Sequence, residues 1–404
     1  MANNKIIVMY TFSPFPFGEA ASNRIFSLAL SFQAAGYKVV VLSNGTERDC
    51  DFNEEKKAYI YRTIEYRNFA MNNKSRLMRI YNRNNIFKII NRKMSQEELE
   101  RTEFVYATYR NYGLILHIAL KKYFKIPAIV DATEWHSSDQ YKYGKFNFSF
   151  IMHDIKIKYL LPKAKNIICI TTFLENFFKR KKCNTVVIPP QIDINNFQKH
   201  RVPQLPPLRL FYAGTTAKKD YLDVALDGLC MLSPDELKRV KCTLVGQSIE
   251  DFTDQFARAN FYFDTMKESL EILNRMPKSD LDNKLSLEHF LILMRPVSRY
   301  SKAGFPSKVP EALAAGVPII TNLTSDLNYY IKDGENGLIV TDFSPKAFAS
   351  AVRRALLIQD TDFKKMSQNA SDTAKEYFNY DVYTSKIRRF LDSVNCRVVD
   401  KFEC

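Results

Sequence analysis

The sequence predicts an α/β protein made of two doubly wound domains. Three observations support this: short continuous runs of Val, Ile and Leu, helical patterns between the runs, and a proline-rich segment, His200–Leu208, near the middle of the 404 residues. Uninterrupted apolar runs are typical of parallel strands buried on both faces. Alternation of strands with helices predicts right-handed crossovers. We therefore expect one domain over residues 1–200, a second over 201–378 and a closing helix over 379–404.

Each predicted strand is one apolar run. In the first half the runs are Ile6–Tyr10, Val39–Leu42, Phe104–Thr108, Ala128–Val130, Ile167–Ile170 and Val186–Ile188. In the second half they are Leu208–Ala213, Cys242–Val245, Leu270–Leu273, Phe290–Met294, Val317–Thr321 and Leu338–Val340. A helix is predicted over Ala21–Ala35. The closing helix is predicted from apolar residues at helical spacing, Phe378, Tyr383, Ile387, Phe390 and Leu391. This helix can return to the first domain.

The composition excludes several classes of protein. With 46% hydrophobic and 25% charged residues, the chain has the balance of a globular protein, which excludes disorder and collagen-like repeats. No apolar run reaches the roughly 18 residues that a membrane-spanning helix needs. The apolar run at the N-terminus is short and lacks a basic flank, so it indicates a strand and not a signal peptide. The seven cysteines form no CxxC pair, which disfavours a disulfide framework or zinc site and favours a reducing cytoplasm.

The positive charge is concentrated in the first half. Residues 1–200 hold 31 Lys and Arg against 17 Asp and Glu, whereas residues 201–404 hold 28 against 27. A strongly basic half predicts an anionic partner, such as a phosphorylated substrate, a lipid surface or nucleic acid.

The stretch Arg295–Val340 contains the pattern of a ligand site. A predicted strand ends at Arg295, and a loop with Gly304 and Ser307 leads into a predicted helix, Val309–Ala315. Ser307 is placed to cap this helix, whose first turn would attract an anion beside Lys308. Glu311 follows one turn later, where a carboxylate can accept two hydrogen bonds from a vicinal diol. A phosphate site beside a diol site predicts a nucleoside diphosphate ligand beyond the carboxyl ends of the strands.

A second stretch, Tyr212–Asp223, supports the same site. The predicted strand ends at Gly214, which would let a ligand approach the backbone. Either Lys218 or Lys219 would then neutralise a diphosphate.

In these motifs the chain resembles the glycosyltransferases of family 4, also called group 1. The resemblance rests on the segments DATEW (131–135), IPPQID (188–193), YAGTTAKKD (212–220) and GFPSKVPEALAAGVPIITN (304–322), and it extends over essentially the whole chain. It is similar to bacterial transferases of capsule and exopolysaccharide biosynthesis. The resemblance implies the GT-B fold of two facing Rossmann-like domains. It also implies retaining transfer of a sugar from a nucleotide donor, with no cofactor and no bound metal.

The resemblance also implies roles for individual residues. Glu311 would hold the ribose, Lys219 or Lys218 the diphosphate, and the backbone of residues 304–307 the diphosphate and sugar. The donor-binding positions are Gly18, Gly214, Lys218, Lys219, Arg295, Gly304, Phe305, Pro306, Ser307, Lys308 and Glu311. The catalytic candidates are His136, Glu134, Lys219 and Arg295. The chain departs from the family at Ala303, where the motif has its first Glu, so that a carboxylate contact to the donor sugar is lost or supplied elsewhere.

The first domain is expected to bind the acceptor. Glu134 and His136 follow a predicted strand, and His136 would orient an acceptor hydroxyl or a sugar oxygen, or be a loop histidine bonded to its neighbours. The basic amphipathic segment Lys74–Met94 and the cluster Phe177–Lys182 are typical of an anionic membrane interface, or of solvated helices. An acceptor saccharide carried on a polyprenyl diphosphate would favour the membrane interpretation of these segments. We expect a cytoplasmic protein held at the inner face of the membrane.

Three other functions are considered. A GT-B nucleotide-sugar epimerase or an inverting transferase would use Glu134 or His136 as its catalytic group. The charge alone is also compatible with a nucleic-acid- or membrane-binding protein without catalysis, although no nucleic-acid-reading module is present. A nicotinamide-dependent dehydrogenase is disfavoured because the first loop lacks the G-x-G-x-x-G spacing. The favoured donor is a UDP-sugar.

Overall fold

The structure, a computed structural model, describes residues 5–16, 20–43, 51–53, 58–69, 86–197, 204–214 and 220–399. The chain divides into two compact units. The first consists of Met1–Ile192 together with Tyr380–Cys404, and the second consists of Asp193–Asn379.

The described residues of the first unit form a nine-stranded sheet in the order β3-β4-β5-β2-β1-β6-β7-β8-β9. Strand pairs are parallel except β3 with β4 and β4 with β5. The strands are β1 Ile6–Tyr10, β2 Lys38–Ser43, β3 Asp51–Asn53, β4 Ala58–Tyr61, β5 Ile64–Asn68, β6 Thr102–Thr108, β7 Ala128–Ala132, β8 Asn166–Cys169 and β9 Asn184–Val187.

The helices of the first unit connect these strands or cover them. They are α1 Ala20–Ala34, α2 Ile86–Lys93, α3 Gln96–Glu100, α4 Leu114–Ile118, α5 Phe148–Ile155, α6 Thr172–Arg180 and α16 Thr384–Val399. Two of them continue as wider π-helical turns, α4 over Ala119–Phe124 and α5 over Lys156–Leu160. Short 3₁₀ turns lie at Ser138–Gln140, Gly144–Phe146, Leu161–Ala164 and Tyr380–Tyr383.

The second unit contains a six-stranded parallel sheet in the order β12-β11-β10-β13-β14-β15 within its described residues. Its strands are β10 Leu208–Ala213, β11 Val240–Val245, β12 Leu270–Leu273, β13 Phe290–Leu293, β14 Ile319–Asn322 and β15 Gly337–Val340. Its helices are α7 Leu222–Leu229, α8 Pro234–Leu237, α9 Ile249–Gln255, α10 Ala259–Met266, α11 Lys278–Leu285, α12 Arg299–Ala303, α13 Lys308–Ala314, α14 Pro345–Leu356 and α15 Asp360–Tyr377. Its 3₁₀ turns are Ile194–Asn196, Lys267–Ser269 and Leu327–Tyr329.

The predicted fold class is confirmed, and every predicted apolar run forms a strand. In both units most of these strands are buried along most of their length, as a parallel sheet covered by helices requires, whereas the edge strand β12 is only partly buried. The helix predicted over Ala21–Ala35 is α1. The helix predicted over Val309–Ala315 is α13, which begins at Lys308 and ends at Ala314.

The sequence did not predict β3, β4 and β5. Strand β5 reads IEYRN, in which polar residues alternate with apolar ones, and yet Glu65 and Arg67 are buried. Arg67 is paired with Glu65 and with Glu98, and Lys38 lies 3.1 Å from Glu65. Because this ion network pairs the buried charges, β5 can lie next to β2 without the continuous apolar run by which the other strands were predicted.

The boundary between the units lies between Ile192 and Asp193, not after residue 200 as predicted. The reason is the local hydrogen bonding. The backbone N–H of Tyr380 donates to the carbonyl of Ile192 at 3.0 Å, so the returning chain pairs with the departing chain there. The N–H of Ile194 already donates to Asn379, at 3.2 Å, inside the second unit.

The C-terminal helix α16 belongs to the first unit. Tyr383, Ile387, Phe390, Leu391 and Val394 pack in one buried cluster with residues of α1 and of the sheet. Asn184 of β9 donates a hydrogen bond to Ser393 at 2.8 Å. In the described part of the chain, no helix has both the length and the apolar character needed to cross a bilayer.

Candidate functional site

A buried carboxylate, Asp220, organises the carboxyl ends of β10 and β13. Its Oδ1 accepts from Nε of Arg295 at 2.7 Å, and its Oδ2 accepts from Nζ of Lys308 at 2.7 Å. Tyr212, near the end of β10, donates its hydroxyl to the same Oδ2 at 3.0 Å. The two cations that the sequence assigned to an anionic ligand therefore converge on one acidic side chain, which the sequence analysis did not select.

The electrostatics of this cluster favour the ion pairs. Burial raises the pKa of Asp220, but Arg295 and Lys308 outweigh burial and hold that pKa well below its usual range. Burial lowers the pKa of Lys308, and Asp220 partly offsets the effect. Burial, followed by the charge of Asp220, raises the pKa of the Tyr212 hydroxyl. With two cations on one carboxylate, the cluster holds a net positive charge, as a site for an anion requires.

The backbone of Arg295 is fixed by Asn322, the last residue of β14. The N–H of Arg295 donates to Oδ1 of Asn322 at 2.9 Å, and Nδ2 of Asn322 donates back to the carbonyl of Arg295 at 2.7 Å. Strands β13 and β14 are neighbours in the sheet, so this pair ties the arginine to the strand beside it. The side chain of Arg295 is 10% exposed and thus held mainly by protein atoms.

Gly214 is required by the position of Lys308. A Cβ at residue 214 would lie 2.7 Å from Nζ of Lys308, and the φ of Gly214 is +146°. From the sequence, this glycine was expected to let a ligand approach the backbone. In the structure the lysine ammonium occupies that space and lies 4.3 Å from the centre of the Tyr212 ring.

Glu311 lies on α13, one turn after Lys308. It is partly exposed, and Nζ of Lys278 donates to its Oε2 at 3.2 Å. Lys278 also donates to Asp282, at 2.6 Å. Burial lowers the pKa of Lys278, but Glu311 and Asp282 outweigh burial and raise it. Lys278 was not selected from the sequence, because nothing in its local sequence separates it from a solvated helix residue.

The loop before α13 was predicted to cap the helix through Ser307 and to offer its backbone N–H groups to a ligand, and the structure differs at several of its residues. Ser307 has a helical backbone and its side chain makes no capping hydrogen bond in the described structure, so the predicted cap is wrong. The N–H of Gly304 donates to the carbonyl of Tyr300 at 2.9 Å and ends α12. Phe305 is buried against Tyr330 and Phe378, and Pro306 has no N–H to donate. Ala303, at the position of the missing family Glu, is fully buried.

A second polar cluster lies in the first unit, where β6 and β7 end. Oε2 of Glu134 accepts from the Tyr109 hydroxyl at 2.6 Å and from Arg110 at 3.0 Å, and it lies 3.1 Å from Nε2 of His136. Nδ1 of His136 is hydrogen-bonded to the hydroxyl of Tyr141. The structure thus brings the two predicted acceptor residues together, and both ring nitrogens of His136 already have partners.

His153, on α5, completes this cluster. Its ring stacks on that of His136 with centres 4.2 Å apart, and its Nε2 accepts from the His136 N–H at 3.1 Å. His153 was not selected from the sequence, because it lies 17 positions after His136 and nothing in its local sequence indicates a partner. Burial and the charge of Glu134 raise the pKa of the Tyr109 hydroxyl, so Tyr109 acts as a donor to the carboxylate.

Asp131, the first residue of the DATEW segment, has a structural role. It is buried and accepts two hydrogen bonds from Arg24 of α1, both at 2.7 Å. The Tyr106 hydroxyl donates to it as well, at 2.9 Å. This bidentate pair fastens α1 to β7.

The sequence of the second unit matches a family of known proteins. Residues 193–376, which hold Asp220, Arg295, Lys308 and Glu311, match the model described as glycosyl transferases group 1. Over this segment the chain is similar to the group 1 glycosyltransferases. Among proteins with curated functions, none matches it significantly by sequence.

Solved structures show that the chain has the GT-B fold. Sucrose-phosphate synthase from Thermosynechococcus elongatus superposes with a TM-score of 0.68 at 13% identity, covering 97% of this chain and 100% of that one. A glycosyltransferase from Rickettsia africae superposes with a TM-score of 0.66 at 15% identity, covering 96% of this chain and 98% of that one. HepE from Anabaena, in complex with UDP and glucose, superposes with a TM-score of 0.65 at 15% identity, covering 96% of this chain and 100% of that one. At these identities the likeness concerns the fold.

Several of the predicted site residues lie outside the described ranges. They are Gly18, Lys218, Lys219 and most of the basic segment Lys74–Met94. Within the described ranges, no group of three or more His, Cys, Asp or Glu side chains is arranged to hold a metal ion.

Proposed function

We propose that the second unit binds a nucleotide sugar and that the chain transfers this sugar, with retention, to a saccharide acceptor. One observation carries the proposal. Arg295 and Lys308 converge on Asp220 at the ends of the strands, and Glu311 follows Lys308 on the same helix face. Cations beside a partly exposed carboxylate match a diphosphate beside a ribose diol. The site lies inside the segment that matches the group 1 family.

The donor that we favour is a UDP-sugar, since the HepE structure holds UDP and glucose. The diphosphate would share Arg295 and Lys308 with Asp220, and Lys218 or Lys219 would add charge. Glu311 would exchange Lys278 for the ribose hydroxyls. Charge-assisted hydrogen bonds of this kind contribute about 1.5–3 kcal/mol each.

The proposed transfer needs no protein nucleophile. The bond from the anomeric carbon to the diphosphate oxygen breaks as the acceptor oxygen bonds to that carbon on the same face. The acceptor proton passes to the departing diphosphate oxygen. Arg295 and Lys308 stabilise the charge that develops there, and fixed positions of donor and acceptor supply the rest of the rate enhancement.

The acceptor that we propose is a saccharide on a polyprenyl diphosphate, in the synthesis of a capsule or another cell-surface polysaccharide. The protein would then work in the cytoplasm, peripherally bound to the inner face of the membrane. The Glu134–His136 cluster of the first unit is the proposed acceptor site. Hydrogen bonds to Tyr109, Arg110 and Tyr141 orient both side chains.

The same cluster favours a second candidate, an inverting transferase or a nucleotide-sugar epimerase. A carboxylate beside a histidine is able to take a proton, as inversion or epimerisation requires. His136 would first have to exchange Tyr141 or Glu134 for the substrate.

Product analysis tests the proposal and separates the candidates. Purified protein is incubated with UDP-, GDP- and ADP-sugars and acceptor, nucleotide release is measured, and the anomeric configuration of the product is read by NMR. Retention, with release from one nucleotide sugar, is expected. Inversion, or an epimerised free nucleotide sugar, supports the second candidate. Release that is unchanged in Glu311→Ala would contradict the proposed donor site.

A further inference from the structure

The outer surface of α5 and its π-helical continuation is apolar. Phe148, Ile151, Met152, Ile155 and Tyr159 recur at three- or four-residue steps, and all are exposed. Phe148 is 75% and Tyr159 63% exposed. In a helix that covers a sheet, the apolar stripe ordinarily faces the core. On this helix the stripe faces outward, and just before it Phe146 is 90% exposed.

The neighbouring helix α4 extends this apolar surface. Leu114, Ile115, Ile118 and, in its continuation, Tyr123 are also exposed. Strands β6, β7 and β8 are successive neighbours in the sheet, so the right-handed crossovers through α4 and α5 lie side by side on one face. We call these residues of α4, α5 and their continuations, with Tyr143 and Phe146, the apolar face. Apolar patches of this kind on a protein surface mark interaction sites.

Lysines occur in the same segments as the apolar face, and we call the exposed ones the lysine rim. Residues 114–165 contain nine lysines and four acids. Three of those acids, Asp131, Glu134 and Asp154, are paired with Arg24, Arg110 and Lys158. The exposed lysines are Lys121, Lys122, Lys125, Lys142, Lys145, Lys163 and Lys165.

The basic end of α6 adjoins the same face. Nζ of Lys181 lies 5.8 Å from the centre of the Tyr159 ring and 5.9 Å from that of Phe177. The cluster Phe177–Lys182, which the sequence analysis associated with a membrane, is therefore continuous with the apolar face. An excess of positive charge opposes pairing with a second copy of the same surface and favours an anionic partner.

We infer that the apolar face and its lysine rim dock on an anionic lipid bilayer. Exposed aromatic and aliphatic side chains with surrounding lysines are the composition of an interfacial surface, in which apolar groups enter the acyl boundary and cations meet the headgroups. The inference rests on the membrane association proposed above and assigns it to these residues.

The docking surface is joined directly to the candidate acceptor site. His153 on α5 stacks on His136, and Lys156, in the continuation of α5, donates to the carbonyl of Arg110 at 2.9 Å. The helix that meets the lipid thus also holds one residue of the Glu134–His136 cluster. A saccharide carried on a lipid would reach that cluster from the bilayer.

Vesicle co-sedimentation of the full chain tests the inference. The vesicles contain phosphatidylcholine alone or with a third of phosphatidylglycerol. The test variant is Phe146→Ser/Phe148→Ser, and the matched control is Leu357→Ser, a 76% exposed leucine of the second unit. Wild type and control are expected to bind the anionic vesicles. The test variant is expected to bind about tenfold more weakly or worse, because two rings no longer enter the lipid.

Charge is tested in the same assay. Lys142→Gln/Lys145→Gln is expected to weaken binding to the anionic vesicles and to leave binding to phosphatidylcholine unchanged. Wild type that does not sediment with anionic vesicles overturns the inference, and so does equal binding by the Phe146→Ser/Phe148→Ser variant and the control. A concentration-dependent dimer that this variant abolishes, without vesicle binding, also overturns it and identifies a second copy as the occupant.

UDP binding without vesicles separates this inference from the proposed function. The surface variants are expected to bind UDP as wild type does. If vesicle binding fails while UDP binding persists, only the docking surface is wrong. If vesicle binding follows the prediction while no nucleotide binds, the proposed function is wrong and the docking surface stands.

Discussion

At the scale of single residues, the proposed donor site depends on Asp220, a side chain that was not selected from the sequence. Arg295, Lys308 and Glu311 could be selected because each stands at a fixed place in a recognisable strand–loop–helix pattern. Asp220 follows two lysines at the start of a helix, where a solvated aspartate is equally at home. Only the structure shows that it is buried between two cations from distant parts of the chain.

Asp220→Asn is expected to destabilise the fold strongly. The substitution keeps the shape of the side chain but leaves Arg295 and Lys308 without their shared anion, a loss of about 3–5 kcal/mol in the free energy of unfolding. Urea denaturation measures it. The control Asp235→Asn, whose side chain is 92% exposed, is expected to change stability by about 0.5 kcal/mol or less. Equal effects of the two substitutions would contradict the role given to Asp220.

Glu288 is expected to make stability fall as the pH rises. Burial raises the pKa of Glu288 to about 7, although Lys284 and Arg209 oppose the shift. Between the unfolded pKa of about 4.5 and the folded pKa, the folded state holds a proton that the unfolded state has lost, so folding becomes less favourable through this range.

Glu288→Gln is expected to remove that fall in stability. Relative to wild type, the variant should be more stable at pH 8 by about 1–3 kcal/mol, with little difference at pH 4. Urea denaturation at the two pH values measures it. Glu335→Gln, with a largely exposed side chain, is the control and should show no such pH dependence. A stability difference for Glu288→Gln that is the same at both pH values would rule out the shift.

At the scale of elements, the strands were predictable and the polar edge of the first sheet was not. An apolar run such as Phe290–Leu293 has no exposed face, so its composition alone identifies a buried parallel strand. Strand β5 is buried by ion pairs between residues far apart in sequence, Arg67 with Glu98 and Lys38 with Glu65. Such pairs leave no local periodicity. The predicted Ser307 cap was also wrong. The backbone of Ser307 is helical in the structure, and its side chain makes no capping hydrogen bond to α13.

The ends of β10 and β11 are expected to depend on Gly246. A Cβ at this position would lie 2.9 Å from the carbonyl oxygen of Gly214, a backbone atom, and the φ of Gly246 is +120°. Gly334 has a φ of +78° with no atom near its Cβ position, so Gly334→Ala isolates the backbone strain alone.

Gly246→Ala is therefore expected to lower thermal stability well beyond Gly334→Ala. The control should lose about 1 kcal/mol, and Gly246→Ala about 1–3 kcal/mol more because strands must shift. It should also weaken nucleotide binding, since Gly214 lies against Lys308. Differential scanning calorimetry of both variants measures the loss in thermal stability. A smaller loss for Gly246→Ala than for Gly334→Ala would show that the strand ends yield freely.

At the scale of the whole molecule, the charge asymmetry of the sequence corresponds to the two units. The positive excess lies in the first half, where the structure shows the lysine rim and the apolar face. The second half is nearly neutral overall, and two of its cations, Arg295 and Lys308, meet at Asp220. This division of charge is already visible in the sequence. The apolar face itself was not predicted, because periodicity shows that a helix has an apolar stripe and not whether the stripe faces the core or the solvent.

The central claim is that Glu311 and the Asp220 cluster form a nucleoside diphosphate site, and calorimetric titration tests it most directly. UDP, GDP and ADP are titrated into wild type, Glu311→Ala and the control Glu335→Ala. One nucleotide should bind wild type and control alike. Glu311→Ala should weaken it by about 2–3 kcal/mol, or roughly 30- to 150-fold, through loss of two hydrogen bonds to the ribose. Binding that Glu311→Ala leaves unchanged, or no binding by any of the three nucleotides, would contradict the account.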